Sequence, residues 1–361
     1  VFLARYHVNG KILALKVVRK PNFPEGQYHL KNEIRICQFL SSPFICQMNI
    51  CFENAEKVYF GLDFCSGGDL FSLLVFRQWF TEQGARFYLA ETALGLEHLH
   101  GQGVLYRDLK PENILLDSQG HVKLSDFGLS KFGMTKDSRT RTICGTLCYM
   151  CPEMLKGESY GFQSDLWSLG VMAAALLSGG LIFNEETEDH TKFKIINQDP
   201  VMDWVSPECQ EMLQGLLKKN PDERYTIEQL KSSAFFNGVN WQRVLAQGYQ
   251  PPFVPNFNGD ADFSNFERSN LPVFDTPVKN EAYEPYISFD PFTGFEFDGA
   301  RDSEPGAQGA TTTEQVTNFE DGATTTEPVV VPEIEEVTKS EPEKKKKKNK
   351  KAACRRLIKP Q

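Results

Sequence analysis

One continuous stretch limits what this chain can fold into more than any other: Val104 to Gly128, where polar residues recur at set offsets among apolar ones. It carries Tyr106-Arg107-Asp108, then Lys110 and Asn113, then Asp126-Phe127-Gly128. A single Asp, Lys or Asn is ordinarily solvated surface, and an Arg-Asp pair arises by chance in many chains. The full string does not, because each further fixed offset multiplies the odds against coincidence. Its chemistry is also coherent. Asp108 is a carboxylate near a cation, Lys110, while Asn113 and Asp126 offer the oxygen donors that magnesium prefers.

At 361 residues the chain exceeds one average domain, so one large unit with extensions is expected. Hydrophobic residues make up 40%, with 28 Phe, enough to cover a core around such a site. Nine irregularly spaced cysteines read as reduced intracellular thiols rather than a disulfide framework. Val1 to Val18 alternate like strands and lack a signal-peptide layout. The longest apolar run, Val171 to Phe183, is interrupted by Ser178-Gly179-Gly180 and is too short to span a bilayer, which predicts a buried helix. A cytoplasmic location is the expectation. The net charge of −9 is uneven: Pro251 to Glu343 holds about 20 acids against 4 bases, and Lys344 to Gln361 about 10 bases and no acid.

The central string resembles the catalytic loop and the magnesium-binding Asp-Phe-Gly of protein kinases. Downstream, Thr142-Ile143-Cys144-Gly145-Thr146 and the run to Cys151-Pro152-Glu153 resemble the activation loop of the AGC group, which contains protein kinases A and C. The resemblance covers about Val1 to Phe297. It implies an α+β, two-lobed protein kinase fold, with a small antiparallel β-sheet lobe and a larger, mainly helical one. It also implies an ATP-dependent serine/threonine kinase with ATP and Mg2+ as cofactors. In that reading Asp108 orients the acceptor hydroxyl and takes its proton, Lys110 neutralises the moving phosphoryl group, and Asn113 with Asp126 binds magnesium. Lys16, in Ala14-Leu15-Lys16, would hold the phosphates, braced by Glu33. Val1, Ala14, Leu62, Leu115 and Phe266 would enclose the base. Backbone groups of Asp63 and Cys65 would bond adenine, and Asp69 would reach the ribose or a basic substrate side chain.

Taken singly, several of these residues have plainer readings. A strand lysine or a helix glutamate usually faces water, and Gly67-Gly68 would mark an ordinary turn. Position relative to the central string decides for the site. Thr81 to His100, apolar at helical spacing, predicts a core helix, with His98 and His100 structural. Asp165 would tie the catalytic-loop backbone, and Glu153 would pair with Arg224 in the interior.

The resemblance implies phosphorylation by an upstream kinase at Thr142, whose phosphate would pair with Arg107. Thr146 would bond toward Asp108 and Lys110 and favour Ser/Thr acceptors. Leu147 and Cys151 depart from the usual residues, which bears on the substrate groove. Asp69 and Glu112 match acids that receive substrate arginines, whereas Ala175 replaces a further acid, so protein substrates with upstream basic residues are expected under a looser rule. The glycine-rich turn that would cover the phosphates would lie just before Val1, so the sequence reads as starting in mid-domain, with weak ATP binding expected until those residues are restored.

The expected organisation is a catalytic domain over 1–236, a carboxy-terminal extension over 237–298, and a disordered acidic then polybasic tail over 299–361. The extension carries Phe266, the turn-motif phosphosite Thr276, and Phe292 and Phe295, with Glu296 supplying permanent charge. The 344–356 run suits an anionic membrane, a nucleic acid or a nuclear address, and a solvated tail equally. A monomer is expected. A kinase-fold scaffold without activity would be expected to lack Lys16, Asp108 or Asp126, and all three are present. A nucleic-acid-binding protein would rest on the final basic run alone.

Overall fold

Short strands rich in apolar residues build the small lobe. In the computed structural model, which describes residues 1–6 and 9–256 and beyond them Asp262, Asn265, Glu284 and Pro285, β1 (Phe2–Arg5) pairs antiparallel with β2 (Ile12–Arg19). β2 pairs with β4 (Lys57–Asp63), β4 with β3 (Met48–Glu53), and β3 with the two-residue β7 (Glu284–Pro285), all antiparallel, in the order β1-β2-β4-β3-β7. α1 (Pro24–Phe39) starts with proline in its first turn, where the missing N–H costs nothing. Its Leu30 and Ile34, one turn apart, pack on Val58 and Phe60 of β4.

The large lobe is helical. α2 (Leu70–Arg77) leads to α3 (Glu82–Gly101), which Thr81 caps by accepting from the Gly84 N–H at 3.2 Å. A short hairpin of β5 (Ile114–Leu116) and β6 (Val122–Leu124) lies beneath the sheet lobe. α4 (Pro152–Leu155) and α5 (Gln163–Ser178) follow, then α6 (Glu188–Asn197), α7 (Pro207–Leu216), α8 (Ile227–Ser232) and α9 (Trp241–Leu245). α5 is buried continuously from Ser164 to Leu177, which is why its sequence reads as an apolar run rather than a stripe. It ends where Gly179 takes a left-handed conformation, φ 75°. No helix among the described residues is long and apolar enough to cross a membrane.

Glu153 on α4 and Arg224 ahead of α8 form a buried two-pronged pair at 2.8 and 3.0 Å. The guanidinium also donates to the Gln163 carbonyl at 2.7 Å, so the pair joins α4 to the start of α5. After α9 the chain runs back across the large lobe at Gly120. That glycine has φ 96°, and a Cβ there would lie 2.1 Å from the Phe253 carbonyl oxygen. Phe266, Thr276, Phe292, Phe295, Glu296 and the 344–356 run lie outside the described residues.

Candidate active site

Strand alternation places the ceiling of the site. On β2, Leu13 and Leu15 are buried in the sheet lobe, while Ala14 and Lys16 keep partial exposure. Ala14 pairs with Leu62 of β4. Below them Leu115, between buried Ile114 and Leu116, is also part-exposed and bridges to Asp69. Val1 is exposed just ahead of β1, near Lys16.

Lys16 is the point where the lobes meet electrostatically. Its Nζ donates to Glu33 Oε1 at 2.7 Å and to Asp126 Oδ1 at 2.9 Å, so helix α1, strand β2 and the Asp-Phe-Gly segment converge on one ammonium. Burial opposes the charge on Lys16, but the two carboxylates outweigh it and its pKa is raised. Burial likewise works against the Asp126 carboxylate, and the Lys16 charge, with the hydrogen bonds it receives, holds it below the usual range. The Asp126 side chain remains 53% exposed, open to the cleft.

The catalytic loop is a second hydrogen-bonded set. Lys110 Nζ donates to Asp108 Oδ2 at 2.8 Å and to Thr146 Oγ1 at 2.9 Å, and Thr146 Oγ1 donates to Asp108 Oδ1 at 3.1 Å. Asn113 Nδ2 donates to the Asp108 carbonyl at 2.8 Å and to its Oδ2 at 2.9 Å. Gly145 makes the approach possible: with φ 101°, it sits where a Cβ would be 2.7 Å from the Arg107 carbonyl oxygen. Beneath the loop, fully buried Asp165 accepts from the Tyr106 N–H (3.0 Å) and Arg107 N–H (2.8 Å) and bonds His100 Nε2 (2.7 Å). The Tyr106 ring meets that of Phe127 at a tilt, centroids 5.6 Å apart, and its hydroxyl donates to the Ser125 carbonyl, tying the loop to the residue before Asp126. Arg107 and Asp126, neither of them glycine, both take left-handed backbone conformations, φ 70° and 55°. Such strain persists where surrounding contacts hold it and clusters at functional sites.

The orphaned groups of the cleft suit a magnesium nucleotide. The Cys65 N–H, in a residue 2% exposed, donates to nothing among the described residues. The Asp63 carbonyl is approached by the Cys46 and Cys65 thiols, at 3.6 and 3.9 Å, both weak donors. An adenine edge offers the missing acceptor and a better donor. Asn113 spends its amide nitrogen on Asp108, and among the described residues nothing donates to its Oδ1. That oxygen and Asp126 fit a hard cation.

Asp69 has a structural task as well: its two oxygens accept from the Ser72 N–H at 2.7 Å and Ser72 Oγ at 2.9 Å, capping α2. Thr142 is exposed. Its carbonyl accepts from the Tyr160 hydroxyl, and Tyr160 lies against Arg107, whose Nε donates to the Leu129 carbonyl at 2.5 Å. The partial burial of Glu112, with the charges of Asp69 and Asp108 against that of Lys110, pushes its carboxyl up.

Residues 1–236 match the model of the protein kinase domain. The chain belongs to the protein kinase family. The relatives place this kinase in the AGC group, as the activation-loop resemblance implied. It is 40% identical to a ribosomal protein S6 kinase beta of Caenorhabditis elegans over 80% of this chain and 54% of the relative. It is 37% identical to a RAC family serine/threonine-protein kinase homolog of Dictyostelium discoideum, over 76% and 62%. With ribosomal protein S6 kinase alpha-2 of Mus musculus it shares 38% over 72% and 36%. The kinase thus spans roughly a third to three fifths of the length of these relatives.

Two features of the kinase were not read from its sequence. Glu91 and His121, buried on α3 and beside β6, meet at 2.7 Å, and the same carboxylate accepts from the Val122 N–H at 2.8 Å, fixing the hairpin under the site. Lys11 and Asn49 converge on Asp63 at 2.9 Å each. The partners are far apart in sequence and carry no local signature.

Proposed function

We propose that this chain is an ATP-dependent protein serine/threonine kinase that phosphorylates proteins with basic residues upstream of the acceptor. The observation that carries this reading is that Lys16 holds both Glu33 and Asp126, while Asp108, Lys110, Asn113 and Thr146 form one connected set. Bound ATP supplies the γ-phosphoryl group, and magnesium spreads its charge. Asp108 orients the incoming hydroxyl and takes its proton. Lys110, which donates to Asp108 Oδ2, would neutralise the moving phosphoryl group. Thr146 spans Asp108 and Lys110, crowding out the longer reach of a tyrosine. Asn113 and Asp126 would hold magnesium, and Lys16 the phosphates. Glu112, part of whose surface stays open, forms no ion pair among the described residues, and with Asp69 it suits a substrate guanidinium.

Activation by an upstream kinase at Thr142, a carboxy-terminal extension over 237–298 with Thr276 as a second phosphosite, and contact of the basic 344–356 run with an anionic membrane or a nucleic acid belong to the same reading. So do a monomeric state and a cytoplasmic or nuclear location. The test is transfer of radiolabelled phosphate to a basic peptide library by wild-type protein and by Asp108→Asn. Label on Ser and Thr, falling about 10²- to 10⁴-fold in the variant, is expected. Equal transfer by both proteins, or none by wild type already phosphorylated at Thr142, overturns the reading.

A further inference from the structure

Asn49 is the extra residue of a β-bulge. Met48 pairs with Leu62 and Ile50 with Gly61, so Asn49 has no partner on β4. Bulges bend a strand and re-aim the side chain they carry. Here the carboxamide reaches the end of β4: its Oδ1 accepts from Lys11 Nζ at 2.7 Å, and its Nδ2 donates to Asp63 Oδ1 at 2.9 Å. Lys11, just ahead of β2, adds an ion pair to the same Asp63 oxygen at 2.9 Å. The Gln47 N–H donates to Asp63 Oδ2 at 3.3 Å, and the Gln47 carbonyl accepts from the Asp63 N–H at 2.9 Å.

Asp63 is the last residue of β4, where ladder bonds stop and the crossing to the large lobe begins. Its side chain and amide are therefore gripped by Lys11 ahead of β2, by the bulge and by Gln47, while among the described residues its carbonyl meets only soft thiol donors from Cys46 and Cys65. The Lys11 side chain is 46% exposed, so the grip adds little to folding, and a substitution there leaves the core alone.

We propose that Lys11 and Asn49 are positioning residues for the nucleotide base: by fixing the Asp63 side chain they set the angle at which the Asp63 carbonyl receives the exocyclic amino group of adenine. This rests on the nucleotide reading above. A base that carries a carbonyl in place of that amino group cannot donate to Asp63, so the two residues favour ATP over inosine triphosphate.

Calorimetric titration of the full chain with magnesium ATP and magnesium inosine triphosphate, without peptide, tests this in Lys11→Met, Asn49→Ala and Lys11→Arg, alongside kcat, KM and thermal midpoints. The Met and Ala variants should bind ATP about fivefold more weakly, the size set by a half-exposed ion pair, and should raise KM for ATP with kcat held. Their affinity for inosine triphosphate should stay within about twofold of wild type, and Lys11→Arg should restore ATP affinity. Unchanged ATP affinity in both variants, or equal weakening of the two nucleotides, overturns this proposal alone. A wild-type chain that binds neither nucleotide overturns the nucleotide reading, and this proposal with it.

Discussion

Asp126 does its work from a backbone conformation, φ 55°, that a non-glycine residue adopts reluctantly, and its 2.9 Å contact with Lys16 helps to hold it there. The pH dependence of that contact has a definite sign. Asp126 binds its proton less readily in the folded chain than in the unfolded one. The stabilisation is therefore present above about pH 4, the unfolded value, and fades as pH falls through the lower folded value. Lys16, with its pKa raised, stays charged throughout that range. Denaturant midpoints of wild type and Asp126→Asn should accordingly differ at pH 7 and converge below about pH 4. A gap that persists to pH 2 would place the difference in packing rather than charge.

At the scale of elements, the Glu153–Arg224 pair ties α4, which follows the activation loop, to the start of α5. Both side chains are almost wholly buried, Arg224 at 0% and Glu153 at 3% exposure. Removing one partner strands the other, so Arg224→Met should cost about 3 to 5 kcal/mol by chemical denaturation. Replacing both with apolar residues should cost distinctly less. Equal losses for the single and double variants would mean that packing dominates. α3, from the spacing of Leu89, Ala93, Leu96 and Leu99, and the polar string around Asp108 were legible in the sequence because short fixed offsets carry local information, whereas this pair, 71 residues apart, was expected from the family resemblance alone. Contacts at separations of 38 and 52 residues, such as Asn49 and Asp63 on Lys11, were not. Nor were the left-handed conformations of Arg107 and Asp126, which run against local preference and are imposed by the assembled site. Asp69 shows the intermediate case: its placement beside the cleft was readable, but its engagement as the cap of α2 needed the helix to be seen.

For the whole molecule, the question is what keeps Glu33, on a helix of the small lobe, against a lysine that also answers to the large lobe. α1 is anchored at three further points. Asn32 Nδ2 donates to the Ser130 carbonyl at 3.2 Å, the Arg35 guanidinium lies 4.5 Å from the centre of the Phe132 ring, and Phe39 meets that ring edge-on at 5.9 Å. Phe132 follows the Asp-Phe-Gly segment closely, so one aromatic ring couples the position of α1 to the residues that would bind metal. An edge-on ring pair and a cation over a ring face are each worth about 1 kcal/mol at a part-exposed site. Phe132→Ala should therefore loosen α1 without unfolding either lobe, and the Lys16–Glu33 bond should be populated less. Hydrogen exchange should quicken across 27–39 while α5, buried on all sides, keeps its protection, and kcat/KM for ATP should fall by about threefold to thirtyfold. Exchange in α1 that matches wild type, with or without a change in rate, would show that the helix is held by the sheet of its own lobe and that the ring does not couple the two.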